Sequence, residues 1–157
     1  MMKLTVEQIL KAVAGQLIQG DPRQPVKGVS TDSRTINPGE LFIALKGERF
    51  DGHTFISESL VQKASALLVN KKNNLRKLLP SECTIPLIQV NDTLHALGDL
   101  ANAWMKQNRA TVAAITGTNG KTSTREMTAT VLEQTHHVLK PLHNWNNLIG
   151  LPLTLLR

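Results

Sequence analysis

The densest group of chemically capable residues lies between Gly117 and Ser123, which read Gly-Thr-Asn-Gly-Lys-Thr-Ser. Gly117 and Gly120 can adopt backbone angles closed to other residues, so successive N–H groups between them can turn inward and form a concave anion site. Lys121 follows Gly120 directly, and Thr122, Ser123 and Thr124 place hydroxyls where a helix begins. Together they describe a phosphate cradle: N–H groups and the helix dipole hold a β-phosphate, the ammonium meets the β/γ oxygens, and Thr122 reaches Mg²⁺.

A cradle of this kind needs a strand to deliver it and a helix to receive it. Val112 to Ile115 is a short apolar run without helical periodicity, which predicts a strand buried on both faces. Lys121 to Gln134 follows as a helix, with Met127, Val131 and Leu132 on an apolar face. The spacing departs from the familiar G-x-x-x-x-G-K-[ST] pattern, because Ile115 and not glycine stands five positions before Gly120. An ordinary glycine-rich turn with a chance lysine is the plain alternative; the flanking strand and helix argue for the cradle.

Two further polar loops follow apolar runs. Ser30-Thr-Asp-Ser-Arg34 comes after the strand expected over Val26 to Val29, and Lys46-Gly-Glu-Arg-Phe-Asp-Gly-His53 after the strand expected within Glu40 to Leu45. Side by side at strand ends they would line one anion-binding edge with Arg34, Lys46 and Arg49; as unrelated turns they would do nothing together. His53 has no partner at metal-ligand spacing and reads as structural or at a site margin.

The positioning elements come from periodicity and caps. Thr5-Val-Glu-Gln8 is a capping box opening a helix that Gly15 ends, and Gln16 to Gln19 is a short strand. A helix with Ile56, Leu60 and Val61 runs to Ala64, Ala66 to Val69 is a buried strand, Leu75 to Leu79 a helical turn, and Ile85 to Val90 another strand. Asn91-Asp92 caps an amphipathic helix over Thr93 to Gln107. His136 and His137 precede the extended pair Val138-Leu139 as strand-edge residues, pointing to opposite sides and so poor joint ligands. His143 to Pro152 is an Asn-rich loop around Trp145, and Pro152 suits the first turn of a helix from Leu151.

This alternation predicts an α/β protein: a small N-terminal α/β domain over residues 1–90, then the first part of a P-loop-type parallel-sheet domain over 91–157. The last helix has hardly begun at Arg157, as expected of a piece of a longer protein. Hydrophobic content of 41% with 19% charged residues places the chain among globular proteins. No apolar run nears the roughly 20 residues that span a bilayer, and the start lacks a signal-peptide core. The single cysteine, Cys83, agrees with a reducing compartment, so a cytoplasmic location is expected. The net charge of +6 is dispersed, and its one tight run, Lys71, Lys72, Arg76 and Lys77, has no interleaved aromatics. That run reads as a solvated face, with no nucleic-acid or membrane partner.

The short loop Thr116 to Thr122 resembles that of the Mur ligase family, and the likeness extends to Ser30–Arg34, Pro38–His53 and Asn144-x-Asn-Asn-x-Ile-Gly-x-Pro-x-Thr-Leu-Leu156, covering essentially the whole chain. Thr118 stands where family members often have Ser. Asn-Asn-x-Ile-Gly and Lys-Gly-Glu-Arg-Phe favour the branch joining D-Ala-D-Ala to UDP-N-acetylmuramoyl-tripeptide. The branch that adds the third peptide residue, and a non-catalytic nucleotide-sugar or phosphate-binding module, are the alternatives. The resemblance implies that Thr31, Ser33, Arg34, Gly47, Glu48, Arg49 and Phe50 hold the UDP part of the substrate. It implies that Gly117, Thr118, Asn119, Gly120, Lys121, Thr122 and Ser123 hold ATP phosphates. Lys121 would neutralise the transferring phosphoryl, Thr122 would ligate Mg²⁺, and Asn146 and Asn147 would face the substrate. The implied reaction activates a carboxylate as an acyl phosphate, which the amine of D-Ala-D-Ala attacks. The family's second metal-binding acid, its modified lysine and its closing C-terminal domain would lie beyond Arg157, so the 157 residues alone are expected to act as a monomer without turnover.

Overall fold

The computed structural model describes residues 2–47, 50–71, 79, 83–141 and 145–157. Helix α1 (Val6–Val13) begins with the expected capping box: Thr5 Oγ1 accepts the Gln8 N–H at 3.3 Å, and Gln8 Oε1 accepts the Thr5 N–H at 2.8 Å. Its apolar positions Val6, Ile9 and Val13 are buried, and Ala14 ends it in the left-handed region.

Strands β1 (Leu4–Thr5) and β3 (Pro25–Val26) pair antiparallel. The main sheet holds β2 (Gln16–Gln19), β4 (Val29–Ser30), β5 (Leu41–Ile43), β6 (Ala66–Asn70) and β7 (Leu87–Val90) in the order β2-β7-β6-β5-β4. β4 to β7 run parallel, and β2 closes the far edge antiparallel to β7. The single strand expected over Val26 to Val29 is instead two, because Gly28 (φ 137°) turns the chain from one sheet to the other. The strand within Glu40 to Leu45 is three residues long and second from an edge.

Side chains alternate across this sheet with period 2. Leu41, Ile43, Ala66, Leu68, Ile88 and Val90 join α1 and helix α3 (Thr93–Asn108) in one core, whereas Phe42, Ala44, Leu67, Val69 and Leu87 pack with Ile36, Ile56 and Leu60 on the other face. Leu60 belongs to helix α2 (Glu58–Lys63). Both faces are thus covered, as the near-continuous apolar run Ala66 to Val69 requires. α3 places Ala96, Leu97, Leu100 and Ala101 in the first core and is started by Asp92, whose Oδ1 accepts the N–H groups of Leu94 at 2.7 Å and His95 at 3.0 Å. It therefore belongs to the same packed body as the strands before it.

Beyond Arg109 lie helices α4 (Lys121–Leu132) and α5 (Gly150–Leu155). α5 packs on α3, and Leu156, the residue that follows it, enters the first core. The expected buried strand at Val112 to Ile115 is not formed: residues 111–117 carry no strand pairing, and Val112 is 65% exposed. A parallel strand needs neighbours to pair with its N–H and C=O groups, and among the described residues none lies beside this segment. For the same reason the parallel sheet expected for residues 91–157 is absent among the described residues. His136, Val138 and Leu139 likewise belong to no strand; His136 sits in the turn after α4, its N–H donating to Leu132 O at 2.9 Å. The apolar face of α4 is uncovered, with Met127 and Val131 each 71% exposed. The helical turn expected over Leu75 to Leu79 lies, apart from Leu79, outside the described residues. No helix among the described residues is long and apolar enough to cross a membrane.

Candidate functional site

Parallel pairing puts the carboxyl ends of β4, β5, β6 and β7 at one edge of the sheet. Because β4 and β5 are direct neighbours, with Val29 opposite Leu41 and Ser30 opposite Phe42, the two polar loops leave that edge side by side. In the first, Ser30 Oγ accepts the Asp32 N–H at 3.2 Å, a local turn that fixes the strand exit. Thr31 and Ser33 are half-buried and Arg34 is exposed. Arg34 is drawn onto Asp32 by paired contacts, Nε to Oδ1 at 2.9 Å and Nη2 to Oδ2 at 2.7 Å. These hydrogen bonds hold the Asp32 carboxyl down at about 2. The Asp-x-Arg spacing could have announced the pair.

The second loop is tied at its base, where Lys46 and Asp51 bridge and the Gly47 N–H donates to Phe50 O at 2.8 Å. Phe50 is 71% exposed, an aromatic face open to solvent. Glu48 and Arg49 lie outside the described residues.

The third group stands at the start of α4. Gly117 (φ 151°) and Gly120 (φ 77°) both occupy the left-handed side of backbone space, as an inward-turned loop requires. Gly120 is the N-cap of α4, and no side chain caps this terminus. The Thr124 N–H is the first to close the helix, on Gly120 O at 2.9 Å, so the N–H groups of Lys121, Thr122 and Ser123 have no intrahelical acceptor. Lys121 bends back over the loop, its ammonium donating to the carbonyls of Gly117 and of Thr118, the latter at 3.1 Å. The loop, the open helix start and the cation therefore occur together even though the strand before them is unpaired. A phosphate group fits this set, as N–H donors, dipole and ammonium all favour negative charge. Thr122 is exposed and offers one hydroxyl; no cluster of three or more His, Cys, Asp or Glu gathers among the described residues.

Asn146 and Asn147 precede α5 and are exposed. Asn147 Oδ1 accepts the N–H groups of Ile149 at 3.1 Å and Gly150 at 2.6 Å, so its oxygen is already used in starting the helix.

An α/β body with polar loops at one strand edge is continued by a glycine loop and lysine at a helix start, features from which a phosphate-binding site can be built. The chain belongs to the Mur ligase family: residues 25–105 match the Mur ligase family catalytic domain, and residues 115–157 the Mur ligase middle domain. It is 42% identical over 158 residues to the UDP-N-acetylmuramoyl-tripeptide–D-alanyl-D-alanine ligase of Escherichia coli (strain K12), an alignment covering 100% of this chain and 32% of that protein. Among solved structures, MurF from Acinetobacter baumannii superposes with a TM-score of 0.84 at 33% identity, over 99% of this chain and 33% of that one. MurF ligase from Thermotoga maritima in complex with ADP superposes with a TM-score of 0.69 at 32% identity, over 83% and 29%. The chain thus spans about a third of the length of the relatives it matches.

Proposed function

We propose that these 157 residues are the part of an ATP-dependent amide-bond ligase that holds the nucleotide-sugar substrate and the ATP phosphates. The whole enzyme would join D-Ala-D-Ala to UDP-N-acetylmuramoyl-tripeptide in peptidoglycan precursor synthesis. The observation that carries this is Lys121 folded over the Gly117–Gly120 loop at an uncapped helix start, in a chain 42% identical along its whole length to such a ligase. Thr31, Ser33 and Arg34, with Gly47 to Phe50, take the UDP part at the edge shared by β4 and β5. Gly117 to Ser123 take the phosphates, and Thr122 adds one hydroxyl to Mg²⁺. Asn146 and Asn147 line the substrate side. The substrate unit extends from the N-terminal strands through α3, which shares their core, and the glycine loop at Gly117 opens the ATP unit.

The chemistry of the reaction suits this arrangement. Bound ATP supplies the phosphoryl group that activates the substrate carboxylate. Phosphoryl transfer to a carboxylate asks the protein chiefly for alignment and charge neutralisation, which Lys121 and the helix start supply. A monomer in the cytoplasm, with neither nucleic acid nor membrane as partner, completes the reading.

Calorimetric titration tests it. UDP-N-acetylmuramoyl-tripeptide and ADP·Mg should each bind the chain at separate sites, with no ADP released from ATP when D-Ala-D-Ala is added. ADP binding that is indifferent to Lys121→Ala would overturn the assignment of the cradle, and substrate-dependent ADP release would overturn the inactivity of these residues alone.

A further inference from the structure

His53 is 1% exposed and stands where the loop after β5 returns to the sheet. Both ring nitrogens are engaged. Nδ1 lies 2.5 Å from Asp51 Oδ1, and Nε2 accepts the backbone N–H of Asn70, the last residue of β6, at 3.0 Å. An imidazole that accepts at Nε2 carries its proton at Nδ1, where it donates to the carboxylate. Two fixed partners therefore set the tautomer and the ring plane.

The consequences run outward from Asp51. Its carboxylate also takes the His53 N–H at 3.0 Å, and its backbone forms the bridge to Lys46 at the base of the loop, beside the Gly47 N–H bond to Phe50 O. Gly52 N–H donates to Leu45 O at 2.7 Å, and a Cβ at Gly52 would fall 2.8 Å from that same oxygen, so the base of the loop lies hard against the end of β5. On the other side, Asn70 Nδ2 donates to Asn91 O at 2.7 Å, joining the end of β6 to the residue that follows β7. A hydrogen-bonded line thus runs Asp51, His53, Asn70, Asn91 across three neighbouring strand ends. Packing alone would need only the volume of a ring; this site uses both of its nitrogens.

We propose that His53 is the positioning residue for the base of this loop: its Nδ1-protonated imidazole transmits the place of the β6 end through Asp51, holding Gly47 and Phe50 where a UDP group docks. The docking half of this statement rests on the function proposed above; the positioning half does not.

The test separates the two. Amide hydrogen exchange is followed by NMR at Gly47 and Gly52, with Leu67 in β6 as internal reference, and the ring nitrogens are read by ¹⁵N shifts. His53→Gln carries both an acceptor and a donor, but on a flexible chain that loses the ring's fixed spacing between Asn70 and Asp51. It should speed exchange at Gly47 and Gly52 by about tenfold while Leu67 is unchanged. Asp51→Asn keeps an acceptor for Nδ1–H and should leave those rates within about twofold of wild type. Titration with UDP should then show an affinity about tenfold weaker in His53→Gln than in wild type. Unchanged exchange at Gly47 and Gly52, or a ring proton on Nε2, overturns the positioning role whatever UDP does. Wild type that fails to bind UDP overturns the docking reading, with exchange alone then deciding the role of His53.

Discussion

Arg34 closes onto Asp32 two residues earlier in the chain, its Nε 2.9 Å from Oδ1 and its Nη2 2.7 Å from Oδ2. A guanidinium expected to meet a ligand is already orientated by a carboxylate in the same loop. The pair holds the Asp32 carboxyl at about 2, against an ordinary value of about 3.9. A carboxylate depressed by folding adds stability that is fully present above the unfolded value and lost as pH falls toward the folded one. The Asp32–Arg34 contribution should therefore disappear between about pH 4 and pH 2. The Arg34 side chain is 85% exposed and that of Asp32 37%, so solvent screening keeps the effect small. Urea midpoints of wild type and Asp32→Asn should differ slightly at pH 6 and converge near pH 2; a constant gap across that range would contradict the pairing.

Lys121 makes its contacts with loop carbonyls at the protein surface, not in a core. Its removal should therefore spare the fold and cost ligand. Lys121→Ala is expected to leave the melting temperature within about 2 °C, as surface changes usually do. The loss of a charge-assisted contact to phosphate should weaken ADP binding by about 10- to 100-fold. Parallel thermal melts and ADP titrations read both; a large drop in melting temperature would mean that the lysine is structural.

What the sequence disclosed depends on how local the cause was. The capping box at Thr5, the cap at Asp92 and the apolar stripe of α3 act within a turn or two of their own residues, and each is visible in the chain and present in the fold. The paired polar loops were legible because strand ends in a parallel sheet face one way. Val112 to Ile115 was not, since an apolar run specifies a strand only when other strands accept its hydrogen bonds, and here none does among the described residues. At the cradle, the glycines and lysine were plain from spacing, but the bend of Lys121 onto its own loop was not. His53 was hidden for a different reason: its partner Asn70 lies 17 residues away, and only strand pairing brings the two together.

Helix α3 carries Gly98 at a half-buried position where an added Cβ would meet nothing within 4 Å. Glycine inside a helix leaves the unfolded chain more freedom to lose on folding than alanine does. Gly98→Ala should thus raise stability by about 0.5–1 kcal/mol. Gly150 is the counterexample. A Cβ there would lie 2.6 Å from Trp145 Cβ and 2.8 Å from its Cα, so Gly150→Ala must push the Trp145 backbone or the start of α5 aside. Overpacking of this kind costs about 1–3 kcal/mol. Denaturant titrations of the two variants should move in opposite directions.

At Gly120 space and conformation give different answers, which makes the position diagnostic for the cradle. Nothing lies within 4 Å of an added Cβ, yet φ is 77°. Alanine would therefore meet no clash with neighbours but would resist the left-handed conformation by roughly 1–2 kcal/mol. In an exposed loop the chain can relieve that strain by rotating Gly120 out of the left-handed region, which redirects the N–H groups of Lys121 and Thr122. Gly120→Ala should consequently lose ADP affinity by about tenfold with little change in melting temperature. Asp92→Ala supplies the contrast, because it removes the acceptor for Leu94 and His95 at the start of α3. It should lower stability by about 1 kcal/mol and leave ADP binding alone. If Gly120→Ala instead melted early while binding ADP normally, the left-handed glycine would be serving the helix, not the phosphate.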